Sequence, residues 1–402
     1  MPGNRLALTF ILATVTLDAI GIGLIFPVMP DLIRSVTAGS LSQAAVLGGV
    51  LATSFAVMQF LFGPLVGSLS DRYGRRPILL ISLAVMGLDY LVMATAPTYA
   101  LLLAARVVAG IAAATYSTAT ACIADITPPD QRGARFGLIG AGFGLGFVLG
   151  PAIGGLLAGI DTRAPFYAAA ALAFANLIFG ALVLPETVTD ATRRRFDLAR
   201  ANPVSALLAV ARLPGIRRIL LCFLILGIAM NVYPAIWAYY GQARFGWDTS
   251  MVGISLAIYG ISFAVGQAVL VGPLIRRFGE HRAAQYGMWV DVTTLAALGL
   301  ITSGPLALIL TPITALGGVV TPALQAIASK SAPANAQGEL QGVLTSLGAI
   351  AMIASPLIMT ATFAGFTGPA TPFYSPGAPF LLASLLMLVC LVLHSRGPRP
   401  QD

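Results

Sequence analysis

The sequence predicts an all-α membrane protein of twelve transmembrane helices in two pseudo-symmetric six-helix bundles, with both termini cytoplasmic. Three observations carry this reading. The 402 residues are 57% hydrophobic and only 9% charged, with a mean hydropathy of +0.88, whereas a soluble domain carries about 25% charged residues. Twelve apolar stretches reach the roughly 20 residues that a bilayer crossing needs. The basic residues crowd into alternate loops.

The stretches lie near 6–29, 44–69, 78–96, 98–122, 134–159, 165–184, 217–240, 250–272, 283–302, 304–326, 338–364 and 378–394. The first is too long for the apolar core of a signal peptide and no small-residue cleavage site follows it, so it reads as a retained helix. Period-2 alternation bounded by hairpin turns is absent, so nothing reads as a sheet. With both ends inside, 19 of the 23 Lys and Arg fall on the cytoplasmic side, only Arg34, Arg163 and Arg244 fall outside, and Arg106 falls within a span. That asymmetry is the positive-inside pattern, and shifting the count by one helix would destroy it. The net charge of +8 is therefore a membrane signature, and no nucleic-acid partner is expected. Cys122, Cys222 and Cys390 stand in separate apolar stretches and read as small buried hydrophobes, not as a disulfide framework.

The longest charged loop divides six spans from six. It gives an N-terminal bundle at 1–184, a basic cytoplasmic linker at 185–216 and a C-terminal bundle at 217–402. The halves read as repeats at an offset of 205: Gly67, Gly74, Pro128, Gly133, Gly137 and Pro151 fall on Gly272, Gly279, Pro333, Gly338, Gly342 and Pro356. Parallel six-helix repeats are an architecture of secondary transporters, whose substrate site lies between the halves near mid-membrane.

Two motifs stand out. The loop after the second span runs Gly67-Ser-Leu-Ser-Asp71-Arg72-Tyr-Gly74-Arg75-Arg76-Pro77. Its glycines permit a tight turn, and Asp71 can cap the next helix or pair with an arginine. With Asp125 this forms a candidate latch that can be made and broken. The shifted loop has Arg276 in place of Asp71, and Lys330 in place of Asp125. The fifth span carries Gly137, Gly146, Gly150, Pro151, Gly154 and Gly155. Small residues at helical spacing let helices approach closely in lipid, and the proline bends the helix, so this span suits a gate.

Four charges stand well inside spans: Asp18, Asp89, Arg106 and Asp291. Each costs about 2.5–3.5 kcal/mol at a helix centre on insertion scales, so each needs a reason. Asp89 also reads as a solvated residue near the outer end of its span. A carboxylate that holds either a proton or a cationic substrate couples the two, which is antiport in its simplest form. Gln59, Asn231 and Gln267 are candidate cavity groups. Trp237, Tyr239, Tyr240 and Tyr259 read as interface anchors or packing. His281 and His394 are the only histidines, and neither a Cys/His metal spacing nor a phosphate loop ending in Lys-Ser or Lys-Thr occurs. No enzyme chemistry and no cofactor is expected.

Taken together, the loop motif, the fifth-span motif and Arg106 followed by Gly110 resemble signatures of the major facilitator superfamily, along the whole chain. A narrower resemblance is to its tetracycline exporters. It rests on Asp18-Ala-Ile-Gly-Ile-Gly-Leu-Ile, Ser70-Asp71-Arg72-Tyr-Gly-Arg-Arg-Pro, Leu88-Asp89-Tyr90, Cys122-Ile-Ala-Asp125, Arg244-Phe-Gly-Trp247 and the position of Asp291. The resemblance implies a bacterial cytoplasmic-membrane exporter that functions as a monomer in lipid and trades a magnesium–tetracycline chelate for a proton, with Mg2+ carried as part of the substrate. It implies exchange roles for the acids at Asp18, Asp89 and Asp291. The chain departs from the exporters at Tyr116, where smaller residues are usual; at Phe263, near which many place a histidine; and at Asn231-Val-Tyr233-Pro234, where a Gly-Gln pair is usual. These are candidate cavity positions. Antiport of other drugs, and proton symport or facilitated passage of a metabolite, remain open alternatives.

Overall fold

The computed structural model describes residues 2–128, 131–188, 193, 216–333, 336–369, 371 and 373–396, with residues 2–6 given as backbone only. Most of the linker expected at 185–216, with Arg194, Arg195, Arg200 and Arg212, lies outside the described residues. Among those described, every regular element is helical, and eleven helical stretches are long and apolar enough to cross a membrane.

The first half runs α1 (Pro2–Ile25), a 3-10 turn (Phe26–Val28), α2 (Met29–Thr37), α3 (Leu41–Tyr73), α4 (Arg75–Thr95), α5 (Tyr99–Ala112), α6 (Thr115–Ile126), α7 (Arg132–Ala158) and α8 (Ala164–Val183). The second half runs α9 (Arg217–Met230), α10 (Val232–Phe245), α11 (Thr249–Val265), a π turn (Gly266–Leu270) and α12 (Val271–Leu300). It continues with α13 (Gly304–Thr314), a 3-10 turn (Ala315–Val319), α14 (Val320–Ser331), α15 (Gln337–Thr367) and α16 (Ala378–Ser395).

Sequence assigns a loop between spans at 250–272 and 283–302; instead of an extended loop, helices meet there with a short break, so that the stretch Thr249–Leu300 runs 52 residues. At about 1.5 Å per residue that is more than twice the roughly 30 Å bilayer core. The stretch is interrupted at Gly279, whose φ of 74° and ψ of 163° are non-helical. Gly74 ends α3 in the same way with a φ of 112°. These two glycines stand 205 residues apart and occupy a region that favours residues without a Cβ.

Two compact units emerge: Met1–Ala38, Ser54–Asn202 and Thr249–Ala257 form the first, and Gly39–Thr53, Pro203–Asp248 and Ile258–Asp402 the second. In the first, α1 packs on α7 and α8, and α4 on α8 and α5, around Phe10, Ile11, Val15, Leu79, Leu83 and Ile123. In the second, α12 packs on α16 and α14, and α9 on α15 and α16, around Leu220, Ala328, Leu340 and Val343. All three cysteines are free and buried. The Cys222 thiol reaches the Cys390 carbonyl at 3.7 Å, and the Cys390 thiol the Cys222 carbonyl at 3.5 Å.

Three apolar spans read as continuous from sequence are broken mid-way. The helix stops at Ala113 and Ala114 between α5 and α6, at Asn231 between α9 and α10, and through the Ala315–Val319 turn. Pro234 explains the second, because it cannot donate to the preceding turn. Gly317 and Gly318 weaken the third. Carbonyls freed inside a membrane need partners; two of the candidate amides supply them, and the third adds to a carbonyl that the Asn231 N–H already bonds. Gln59 Nε2 donates to the Ala113 carbonyl at 3.4 Å, Asn231 Nδ2 to Gly227 at 2.7 Å and Gln267 Nε2 to Gly318 at 3.1 Å.

Candidate functional site

The first unit holds three of the four intramembrane charges. Asp89 on α4 and Arg106 on α5 are 3% and 8% exposed. They form an ion pair, with Arg106 Nε donating to Asp89 Oδ1 at 3.2 Å. The guanidinium also lies 5.4 Å from the Phe55 ring centroid. A fork of donors against a carboxylate is the geometry that makes a buried arginine tolerable. Gly110, one turn after Arg106, lets α5 approach α3: a Cβ there would stand 2.6 Å from the Phe55 carbonyl.

Asp18 on α1 has no such cation among the described residues. It lines a small cavity with Gly21, Tyr90, Asn176, Leu17 and Leu83. Asn176 is held to α1 from α8: Thr14 Oγ1 donates to its Oδ1 at 3.1 Å, and its Nδ2 reaches the Thr14 carbonyl at 3.5 Å. Tyr116 is half exposed and packs edge-on against Phe143 at 5.7 Å, which stacks on Phe147 at 6.1 Å.

The fifth-span glycines divide by partner. Cβ atoms at Gly146, Gly150 and Gly154 would strike α1 at Thr16, Gly23 and Leu24, whereas one at Gly155 would meet Thr249 and Gly253 of α11. Pro151 packs beside Gly23 and Gly253. A methyl at Gly137 would meet open space, as it would at Gly67.

The loop after α3 forms a charged network. Arg75 Nη1 lies 2.5 Å from Asp71 Oδ1, and its Nε donates to Asp125 Oδ2 at 3.2 Å. Arg76 Nη2 donates to the Ala181 carbonyl at 2.6 Å, and Arg72 is exposed beside Tyr73. Sequence reasoning missed Glu186. Its carboxylate accepts from the backbone N–H of Arg75 at 2.8 Å and of Arg76 at 3.3 Å, the first two orphan donors of α4. It also occupies the space a Cβ of Gly74 would need. Thr187 Oγ1 donates to Asp125 Oδ2 at 3.1 Å. The available signal was an acid two residues after an apolar span, at the start of a loop rich in arginine.

In the second unit Asp291 on α12 is 3% exposed, and its Oδ2 has no hydrogen-bond partner among the described residues. It lies against the Ala315–Val319 turn, where a Cβ at Gly317 would collide with the carboxylate. Tyr233 and Tyr259 are its aromatic neighbours. Tyr233 stacks on Tyr259 at 5.1 Å, and Tyr259 on Phe263 at 6.0 Å. Phe263 is 36% exposed, so this ladder leads from the buried acid to an open edge. Aromatic faces attract cations, so the acid and ladder together suit a planar, positively charged molecule.

A family model described as Major Facilitator Superfamily matches residues 11–356 and 219–402. The class C tetracycline resistance protein of Escherichia coli is 42% identical over 97% of this chain and 97% of its own. The class G tetracycline resistance protein of Vibrio anguillarum is 39% identical over 96% of each. Among solved structures, the human organic anion transporter MFSD10 aligns with a TM-score of 0.71 and 25% identity, covering 98% of this chain and 100% of that one.

Proposed function

The chain belongs to the major facilitator superfamily, and we propose that it exports a drug in exchange for a proton. It is a multi-pass transporter of the inner membrane, not an enzyme. The observation that carries the antiport reading is a division of labour among the buried acids. Asp89 is neutralised by Arg106. Asp18 and Asp291, one in each unit, form no ion pair among the described residues. A carboxylate committed to an arginine cannot release it cheaply. One without a cation is free to hold a proton or a cationic substrate in turn.

The substrate is the magnesium–tetracycline chelate, a monocation whose exchange for one proton is electroneutral. The names of the relatives support tetracycline. The Asp291 carboxylate with the Tyr233–Tyr259–Phe263 ladder supplies charge and planar apolar contact for it. Mg2+ travels as cargo. Transport is by alternating access of the bundles 1–184 and 217–402, joined by the 185–216 linker, with twelve spans and both termini cytoplasmic. Thr249–Leu300 counts as two of those spans. The Asp71–Arg75–Asp125 network is the cytoplasmic latch, and the protein works as a monomer.

The test uses inverted membrane vesicles with an imposed proton gradient and a pH dye. Tetracycline with Mg2+ should release protons, and Asp291→Asn should abolish the release. Release only with other cationic drugs would keep antiport and discard the substrate. No release with any drug would return the chain to the symporter or facilitator readings.

A further inference from the structure

Asp89 and Tyr90 are adjacent on α4 yet serve different neighbours. Asp89 turns to Arg106, while Tyr90 lies over α1. The Tyr90 side chain is 2% exposed, and its hydroxyl has no hydrogen-bond partner among the described residues. A buried phenol normally finds one. This one stands over Gly21, where an added Cβ would lie 3.2 Å from the oxygen. It lines the same cavity as Asp18 and Asn176. The cavity offers about 10 Å³ to the centre of a water molecule, roughly the space that a single water needs.

The polar groups around it are also the right number. A buried water makes about three hydrogen bonds. Tyr90 has one free donor. Asn176 is oriented by Thr14, which takes its Oδ1 and one amide hydrogen and leaves the other amide hydrogen available. Thr14 and Asp18 share a face of α1 at i and i+4, so the amide is held one turn from the carboxyl. Of the other elements against α1, α7 brings Gly142, Gly146, Gly150 and Pro151, and α6 brings Ala119, Cys122 and Ile123. Among the described residues the titratable groups around this face are therefore Tyr90 and Cys122, without a cation.

We propose that Asp18, Tyr90 and Asn176 hold a single water between α1, α4 and α8, and that Asp18 exchanges its proton through it. The inference rests on the antiport reading and names where its proton is handled. Tyr90 and Asn176 each donate to the water, and the water donates to the Asp18 carboxylate. Protonation reverses that last bond: the carboxyl donates to the water, the water turns to donate to the Tyr90 oxygen so that its two lone pairs serve only Asp18 and Asn176, and on ionisation the proton leaves through the water oxygen. Tyr90 and Asn176 are positioning residues. Leucine and alanine side chains close the rest of the wall, so a drug-sized ligand does not fit.

Infrared difference spectroscopy of the full chain in lipid nanodiscs tests this without any drug. The protonated-carboxyl band that Asp18→Asn removes is followed through a pH titration. Tyr90→Phe keeps the ring over Gly21 and removes only the hydroxyl. It should move that band to higher frequency, as a hydrogen bond is lost, and displace its titration midpoint by on the order of one pH unit. Should Tyr90→Phe fail to fold, Gly21→Ala crowds the hydroxyl and should perturb the same band. An unmoved band and midpoint in either folded variant overturns the proposal, as does an Asp18→Asn spectrum equal to wild type. A band that responds as expected in a protein that exchanges no drug for protons sinks the antiport reading and leaves the water site standing.

Discussion

Neutralising Asp89 strands Arg106. The pair is buried, and breaking one partner of a buried pair costs about 3–5 kcal/mol because the remaining charge is uncompensated. Asp89→Asn is therefore expected to lower the thermal unfolding midpoint sharply in detergent, and Arg106→Gln to do the same. The double variant should fall well short of the sum, since the two losses are one interaction. Single variants that melt like wild type would show that the pair contributes little. That the four charges needed explaining was legible from their cost in lipid. Their pairing was not, because hydropathy carries no information about which face of α4 meets α5. The same limit applies to Gln59, Asn231 and Gln267. Each reads as a cavity group in sequence, and each places its amide on a backbone carbonyl beside a helix break.

Those breaks belong to the scale of the element. An apolar run reports that a helix can span lipid, not that it is continuous. The offset of 205 nonetheless carries the breaks from one half to the other: Ala113 falls on Gly318, and the turn Phe26–Val28 falls on Asn231–Tyr233. The repeat was read from glycines and prolines, and the irregular backbone follows the same register. Within α7 the glycines are not equivalent, although they read as one motif. Gly154 faces the Leu24 carbonyl, whereas Gly137 of the motif, like Gly144 outside it, faces open space. Gly154→Ala should destabilise by about 1–3 kcal/mol, the range for overpacking, and should separate α7 from α1. Gly144→Ala should be neutral or slightly stabilising, given the helix preference for Ala over Gly of up to about 1 kcal/mol. Matched thermal melts of the two variants check this, and equal losses would refute the assignment of Gly154 as the contact.

Across the whole molecule the repeat conserves a pair and inverts its polarity. Arg75 bonds Asp125, and 205 residues later Glu280 bonds Lys330, Nζ to Oε1 at 2.5 Å. Sequence comparison already placed Lys330 opposite Asp125. It left Glu280 unremarked, because an acid facing an arginine at equivalent positions looks like divergence until both partners are seen. The geometry has been kept while the charges exchanged, so the contact itself is what the fold uses. Lys330→Asp alone sets two carboxylates together, and adding Glu280→Arg rebuilds the pair in the polarity of the first half. The single variant should unfold at a lower temperature than wild type, and the double variant should recover most of the difference. Lys330 is 69% exposed at its side chain, so the effect is bounded by the 0.2–1 kcal/mol typical of solvated pairs and should fade in high salt. Acid should also remove it. The hydrogen bond from the Lys330 ammonium holds the Glu280 carboxyl below its ordinary range. A carboxyl so depressed contributes stability above its unfolded pKa of about 4.3 and loses it as pH falls through the folded value. The gap between wild type and Lys330→Met should thus be full at neutral pH and closed in strong acid. A gap that persisted there would mean Lys330 acts through packing of its stem rather than through its charge.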